Sequence, residues 1–436
     1  MTIIALAILL FVLSFQNCSE GSSPSLSDSP TTPLSLDQVV LPLEKSKNER
    51  FNIVWLEPQS INISVLGREG QATSEDLRKV LQTYKRMGIA TLVVAYSEFL
   101  NQILFKSQKE WSYVSFNKND KGEILTSTVH SKSSYNGLLK DGDFMDVLMM
   151  EAEALGLNVY LGLSRTGDLH LLGDIYHTVK GDPEAMVFPG YDVNARLNTA
   201  LFYSKQVANE LWSRYSGNPS FSGWYLTHET SCLDVGLNYY RPMAEYLKHI
   251  SPKQKVMISP LSNAKSCFST KSYLDLVEEN KNLIDVYAYQ DSIGAGSLYV
   301  NGIPQNLYSD AARIQRIVEL MDGRLEELKL IHAQTGTQFW MNTEAWEMKG
   351  TSCPLGELEG DGSGNRYGCP YPGDWSRVSV QLKNWAEYTP HLMLNEGFSQ
   401  FDFDIGLLSF SDPVNRHKAK AFTNQYLGYL LGKDSL

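Results

Sequence analysis

One feature restricts the fold more than any other. From about residue 50 onward, short β-type apolar runs alternate eight times with longer stretches of helical period. The runs predict strands at 51–57, 90–97, 157–163, 222–229, 255–260, 284–291, 337–344 and 397–404. Their near-continuous apolar character suits strands covered on both faces, as in a parallel sheet. Helices are expected between and after them, at 74–87, 142–155, 193–215, 237–249, 270–280, 309–330, 376–388 and 413–430. Several carry end signals: Thr73-Ser-Glu-Asp76 reads as a capping-box start, Gly88 as a stop, and Gly217-Asn-Pro219 as the end of the third helix. Eight βα units in series predict an α/β fold, a (β/α)8 TIM barrel with long βα-loop insertions. The insertions, at about 99–140, 164–192, 292–308 and 345–375, all follow strands. They therefore decorate the rim on which barrels of this kind carry their chemistry.

The N-terminus is of another kind. Residues 1–17 are uncharged and apolar, too short to span a bilayer comfortably, and end at Cys18. The next stretch is dominated by Ser, Pro, Thr and Gly, which cannot bury apolar area. The expected organisation is a signal peptide over 1–18, a flexible linker over 19–45 and one barrel domain over 46–436. A signal peptide that ends at a Cys and is followed by such a tether resembles a bacterial lipoprotein. That resemblance implies lipidation of Cys18, export, and attachment to a membrane through the lipid alone, at the outer membrane or the cell surface or periplasm.

A net charge of -11, and the lack of any basic run interleaved with aromatics, argue against a nucleic-acid partner. Cys232, Cys267, Cys353 and Cys369 form an even remainder, which in an exported chain predicts two disulfides. Cys353 and Cys369 flank a Gly-rich loop that a crosslink would constrain, and Cys232 with Cys267 follows by elimination. No C-x-x-C spacing supports a four-Cys metal site, and no H-E-x-x-H or Gly-rich phosphate loop is present, so no metal and no cofactor are expected.

The chemistry lies at the strand ends. Glu57, Glu98, Glu229, Asp291, Glu344 and Asp402 fall at or just past the C-terminal ends of the predicted strands one, two, four, six, seven and eight. In a barrel these ends converge on one bowl, and burying a ring of carboxylates requires a cation, a set of donors or a catalytic purpose. Trp55, Tyr96, Tyr225, Tyr289, Trp340 and Trp346 accompany them. Acids mixed with aromatics suit a sugar, whose apolar face stacks on a ring while its hydroxyls meet carboxylates and amides. For any one of these aromatics, packing inside the barrel or under a helix is the competing expectation.

Glu229 and Glu344 stand out. Each ends a run whose period-2 parity groups it with same-face residues, Tyr225 and Thr227 for the first, Trp340 and Asn342 for the second. A glutamate ending strand four and another ending strand seven resembles the large clan of retaining glycoside hydrolases built on this barrel. More narrowly, Gly223-Trp-Tyr-Leu-Thr-His-Glu229, with Trp55-Leu-Glu-Pro58 and Tyr84-Lys-Arg-Met-Gly-Ile-Ala-Thr-Leu-Val-Val94, is similar to a bacterial family of glycoside-hydrolase-like barrels of unassigned function. The resemblance implies that Glu229 is the acid/base and Glu344 the nucleophile. Clan members carry Asn before the strand-four glutamate, where this chain has His228, which can also donate a hydrogen bond. Trp55, Glu57, Tyr96, His228, Tyr289, Asp291, Asn342, Trp346 and Asp402 are the candidates for holding an oligo- or polysaccharide. Glu229, beside Trp224 and Tyr225, is the acid expected to stay protonated.

Three competing readings remain. Glu229 can instead form a rim salt bridge with an Arg such as Arg165. The whole chain can be a non-catalytic carbohydrate-binding or adhesion lipoprotein. A metal-dependent hydrolase is disfavoured because no His cluster accompanies the acids.

Overall fold

A computed structural model of the chain describes residues 49–58, 72–99, 102–109, 111–118, 124–132, 138–165, 193–230, 232–267, 269–294, 311–349, 369–395 and 413–432. Eight strands close into a parallel barrel: β1 (Ile53–Leu56), β2 (Thr91–Val94), β3 (Asn158–Gly162), β4 (Phe221–Leu226), β5 (Lys255–Ile258), β6 (Val286–Gln290), β7 (Gln338–Thr343) and β8 (Leu392–Leu394). Neighbours in the barrel are neighbours in the sequence, and β8 closes the ring by pairing with both β7 and β1. The expected (β/α)8 barrel is what forms.

The eighth strand is a correction. It lies at Leu392–Leu394, whereas the expected 397–404 falls outside the described residues. A three-residue run after Pro390 is too short to display a period. Its register is fixed instead by Asn52, whose backbone donates to Leu392 and whose side-chain oxygen accepts from Leu392, both at 3.1 Å.

Among the described residues eight helices cover the barrel: α1 (Ser74–Arg86), α2 (Phe144–Leu155), α3 (Val193–Tyr215), α4 (Leu233–Ile250), α5 (Tyr273–Asn280), α6 (Ala311–Thr335), α7 (Trp375–Trp385) and α8 (Pro413–Leu430). The capping box at Thr73 is present: its hydroxyl accepts from the Asp76 amide while the Asp76 carboxylate accepts from the Thr73 amide. Gly88 follows α1 with φ of 87°, a conformation that favours glycine.

Parallel register assigns the faces of the strands. Tyr160 of β3 meets Trp340 of β7 edge-on, with ring centroids 5.4 Å apart, and only the barrel interior can join strands on opposite sides. Trp55, Tyr160, Gly223, Tyr225, Met257, Ala288, Gln290, Trp340 and Asn342 share that inner face through their pairings. Gly223 cannot be larger, because a Cβ there would stand 2.5 Å from the Tyr160 ring. Trp224, Tyr287 and Tyr289 face outward and pack among the helices; Trp224 donates to Ser251 Oγ at 2.7 Å and lies against Trp212 of α3.

The segments after the strands build the rim. A small three-stranded sheet joins Glu98–Phe99, Gln102–Ile103 and Ser164–Arg165, and two hairpins rise nearby, Trp111–Lys118 with Ile124–Lys132 and Trp346–Lys349 with Cys369–Pro372. The expected disulfide between Cys232 and Cys267 is present and ties the loop after β4 to the loop after β5. Cys353, Cys18 and the side chain of Cys369 lie outside the described residues.

Candidate active site

Two rim residues from neighbouring quarters of the barrel share one cation. Glu57, just past β1, accepts a hydrogen bond from the Tyr96 hydroxyl at 3.0 Å, and its carboxylate stands 3.7 Å from the Arg165 guanidinium. Arg165 comes from the rim strand that extends β3. Burial works against its charge, but Glu57 and then Glu229 more than offset that loss, so the guanidinium stays charged. It also lies over the Tyr96 ring, 5.7 Å from the centroid.

Glu229 occupies the same neighbourhood from the end of β4. It is part-exposed, yet little water reaches its carboxyl, and that desolvation raises its pKa above the ordinary glutamate value. Arg165 and a hydrogen bond with Gln290 pull the other way without reversing the shift. The neighbouring Tyr225 hydroxyl, beside Trp55 and Ser259, is pushed up as well, by burial first and then by the Glu229 charge.

Gln290 connects this acid to the other. It ends β6 on the inner face, hydrogen-bonds to Glu229, and is paired in register with Asn342, two residues before Glu344 on β7. Asn342 donates to Ser259 Oγ at 3.2 Å, and Ser259 in turn donates to the Ala288 carbonyl at 2.7 Å. One buried polar atom here lacks a hydrogen-bond partner among the described residues, Asn342 Oδ1. Trp346 Nε1, at the base of the rim hairpin, is a second. An orphaned buried donor or acceptor costs about 1–3 kcal/mol, so such atoms mark where a ligand's own polar groups can be met.

The backbone of Glu344 is clamped from behind. Its amide donates to Asp291 Oδ1 at 3.2 Å, and its carbonyl accepts from Arg377 of α7 at 2.9 Å. Arg377 is almost fully buried and donates to the carbonyls of three successive residues, Glu344, Ala345 and Trp346, as well as to Gln381. Gln381 passes the connection on, donating to Asp291 Oδ2 at 2.7 Å beside Trp385 Nε1 at 3.1 Å. Gly373 and Gly294 make the close approach possible: a Cβ on either would stand about 2 Å from the Ala345 or Trp346 carbonyl.

Several expected site residues therefore sit elsewhere. Asp291 is buried, with both oxygens occupied by Glu344, Ile293, Gln381 and Trp385, so it positions strand seven's end and does not face the bowl. Tyr289 points outward, its hydroxyl joined to Tyr273 and to His332 Nε2, both at 2.8 Å. Burial drives His332 down to about 3, which keeps that ring neutral. The His228 ring packs edge-on against Tyr239 of α4 at 4.6 Å, and its carbonyl accepts from the Tyr240 hydroxyl. Glu98 is buried on the same helix side, close enough to Tyr239 to act on its hydroxyl. Trp224, expected beside Glu229, faces α3. The common reason is parity: each of these neighbours an inward residue and so turns outward. Asp402 lies outside the described residues. Gln290, Ser259 and Arg165 complete the bowl in their place. Counting in twos from the buried Ala288 would have found Gln290.

Among the described residues no three His, Cys, Asp or Glu side chains gather as a metal site, and no helix is long and apolar enough to cross a membrane. No protein of curated function matches the sequence. Solved structures share the fold. A candidate alpha-L-fucosidase from Bacteroides thetaiotaomicron overlays with a TM-score of 0.50 at 16% identity, over 94% of this chain and 99% of that one. A glycoside hydrolase family 5 protein from Bacteroides vulgatus matches with a TM-score of 0.40 at 12% identity, over 86% and 66%. An intracellular xylanase from Thermoanaerobacterium saccharolyticum matches with a TM-score of 0.38 at 14% identity, over 83% and 89%. The first of these likenesses speaks to the fold alone. In sequence, residues 55–359, well over half of the chain, match the domain of unknown function DUF4434, and the chain belongs to that family.

Proposed function

We propose that this protein is a retaining glycoside hydrolase in which Glu229 is the acid/base and Glu344 the nucleophile, acting on an extracellular or cell-envelope oligo- or polysaccharide. One observation carries the reading: an acid with a raised pKa stands at the inner rim of β4, joined through Gln290 to the inner face of β7, which ends in a second carboxylate. The solved barrels that share the fold include proteins named as glycosidases, which agrees with it.

The two carboxyls would divide the chemistry between them. Protonated Glu229 gives its proton to the glycosidic oxygen as that bond breaks, while ionised Glu344 bonds to the anomeric carbon. Water then attacks the glycosyl-enzyme, giving its proton to Glu229 and releasing Glu344. Asn342 and Trp346 offer the unsatisfied polar atoms that sugar hydroxyls meet, and Trp55, Glu57 and Tyr96 complete the wall.

The test compares wild type, Glu344→Gln and Glu229→Gln on a panel of chromogenic glycosides and glycans. Loss of turnover by roughly 10⁴-fold in Glu344→Gln supports the nucleophile. Equal turnover by wild type and Glu344→Gln removes it. A complex structure adds a geometric check, since a retaining pair stands about 5–5.5 Å apart and a separation beyond about 10 Å leaves the glycosidase range.

The second reading is a carbohydrate-binding or adhesion lipoprotein without turnover. The proximity of Arg165 to both Glu57 and Glu229 favours it, because a cation holds acids ionised. Glycan binding without turnover in every sample decides for it. Export and lipidation at Cys18 belong to both readings; incorporation of labelled fatty acid, lost in Cys18→Ser, checks them.

A further inference from the structure

We propose that the opposite end of the barrel, at the N-terminal ends of the strands, holds a second site, which binds an acidic monosaccharide, a small organic anion whose ring turns an apolar face to an aromatic side chain. A cavity of about 460 Å³ opens there, within the range of about 300–1,000 Å³ for small-molecule sites. It stands apart from the bowl: its walls come from residues that begin strands, such as Asn52, Lys255 and His391, with Arg50 just before β1. The proposal is independent of the glycosidase reading.

Charge selects the ligand. Arg50 and Lys255 line the cavity, and among the described residues no carboxylate does. Among the described residues neither cation has an ion pair or a hydrogen-bonding side chain, and Arg50 Nε is buried without an acceptor. The nearby acid, Asp285, is already engaged by Lys248 at 2.7 Å and by the Val256 amide at 2.7 Å. Two cations without an acid partner among the described residues, around a half-enclosed space, favour an anion, which regains for them what burial removes.

The floor selects a ring. Trp340 is nearly buried at the inner end of the cavity, with Tyr160 edge-on to it and the His391 ring tilted against it at 5.5 Å. Burial and the adjacent Lys255 depress His391, so its imidazole offers hydrogen bonds without adding charge. Trp340 Nε1 has no acceptor among the described residues, which leaves a buried donor for a hydroxyl or carboxylate. Gly88 builds the opposite wall: the Arg50 guanidinium lies over it, 2.9–3.1 Å from where a Cβ would stand, and any side chain would displace the cation. An acidic monosaccharide joins these requirements in one molecule.

D-glucuronate is the probe, titrated into the full-length protein by calorimetry beside D-glucose and inorganic phosphate. The indole N–H signals of ¹⁵N-tryptophan-labelled protein are followed in parallel, Trp340 being assigned by its loss in Trp340→Phe. The expected result is millimolar or tighter glucuronate binding, roughly tenfold or more weaker binding of glucose and of phosphate, and a shift of the Trp340 signal. Lys255→Met, at a part-exposed position, is expected to weaken glucuronate at least fivefold, while Glu344→Gln leaves it unchanged. No binding in the millimolar range overturns the site. Glucose binding as tightly as glucuronate overturns the anion requirement, and phosphate doing so overturns the ring. Affinity lost in Glu344→Gln but kept in Lys255→Met places the ligand in the bowl and also overturns the proposal.

Discussion

The two ends of this barrel handle charge in opposite ways. At the C-terminal mouth, Arg165 is shared by Glu57 and Glu229, and Tyr96 and Gln290 add donors to the same two acids. At the N-terminal end, Arg50 and Lys255 face a cavity with no acid among the described residues of its lining. A balanced cluster can hold one carboxyl protonated and another ionised, which is the condition for proton transfer. An unbalanced one stores an unmet demand for a counter-ion, the condition for binding. The same strands thus present two charge environments because their two ends are populated independently.

The comparison can be broken most severely behind the mouth. Asp291→Ala strands the Glu344 amide, Gln381 and Trp385 Nε1 in a buried space, together with the Arg377 charge that Asp291 helps to balance. A loss of roughly 3–5 kcal/mol is expected, read from urea denaturation. The companion variant Lys255→Met at the other end is expected to change stability by less than about 0.5 kcal/mol.

A smaller effect comes from the mouth's covalent tie. Replacing both Cys232 and Cys267 by Ser is expected to cost about 2–4 kcal/mol, seen as a lower Tm without denaturant, and as no further loss when the wild type is compared under reducing conditions. Next is Gly88→Ala, which forces φ of 87° on a residue with a Cβ and pushes against Arg50; about 1–2 kcal/mol is expected, with turnover at the mouth intact.

The finest test uses pH. Glu229 has a raised folded-state pKa, so the folded protein gives up stability as pH rises through that value and keeps it below the unfolded pKa. Glu229→Gln is therefore expected to be more stable than wild type near neutrality, by roughly 0.5–2 kcal/mol, and to lose that advantage in acid. In turnover, the alkaline limb reports deprotonation of the acid. Arg165→Met removes a cation that lowers this pKa, so the limb is expected to move to higher pH; a move to lower pH, or none, breaks the link between the two groups.

Seven strands and all eight helices stood where their periods put them, because burial on both faces and amphipathic helices leave a dense record in the residues. β8 did not. Leu392-Met-Leu394 is ordered by Asn52 and Met341, which lie far off in the chain, and Gly397-Phe-Ser-Gln-Phe-Asp-Phe-Asp has the better alternation. Glu229 and Glu344 were legible as strand-end acids. Asp291, Tyr289 and His228 were not, because a list of strand-end residues does not say which of two adjacent side chains turns inward. Arg165 was visible only as a rival partner for Glu229. Its sharing between two acids depends on a rim sheet of two-residue strands that no sequence period announces.

The grip of Arg377 on three consecutive carbonyls separates what must stay still from what is free to vary. The anchored tripeptide ends where the Trp346–Lys349 and Cys369–Pro372 hairpin begins, so everything beyond that point can be lengthened, trimmed or exchanged while the carboxylate at 344 keeps its seat. A scaffold fastened in this manner separates a fixed strand end from a variable rim.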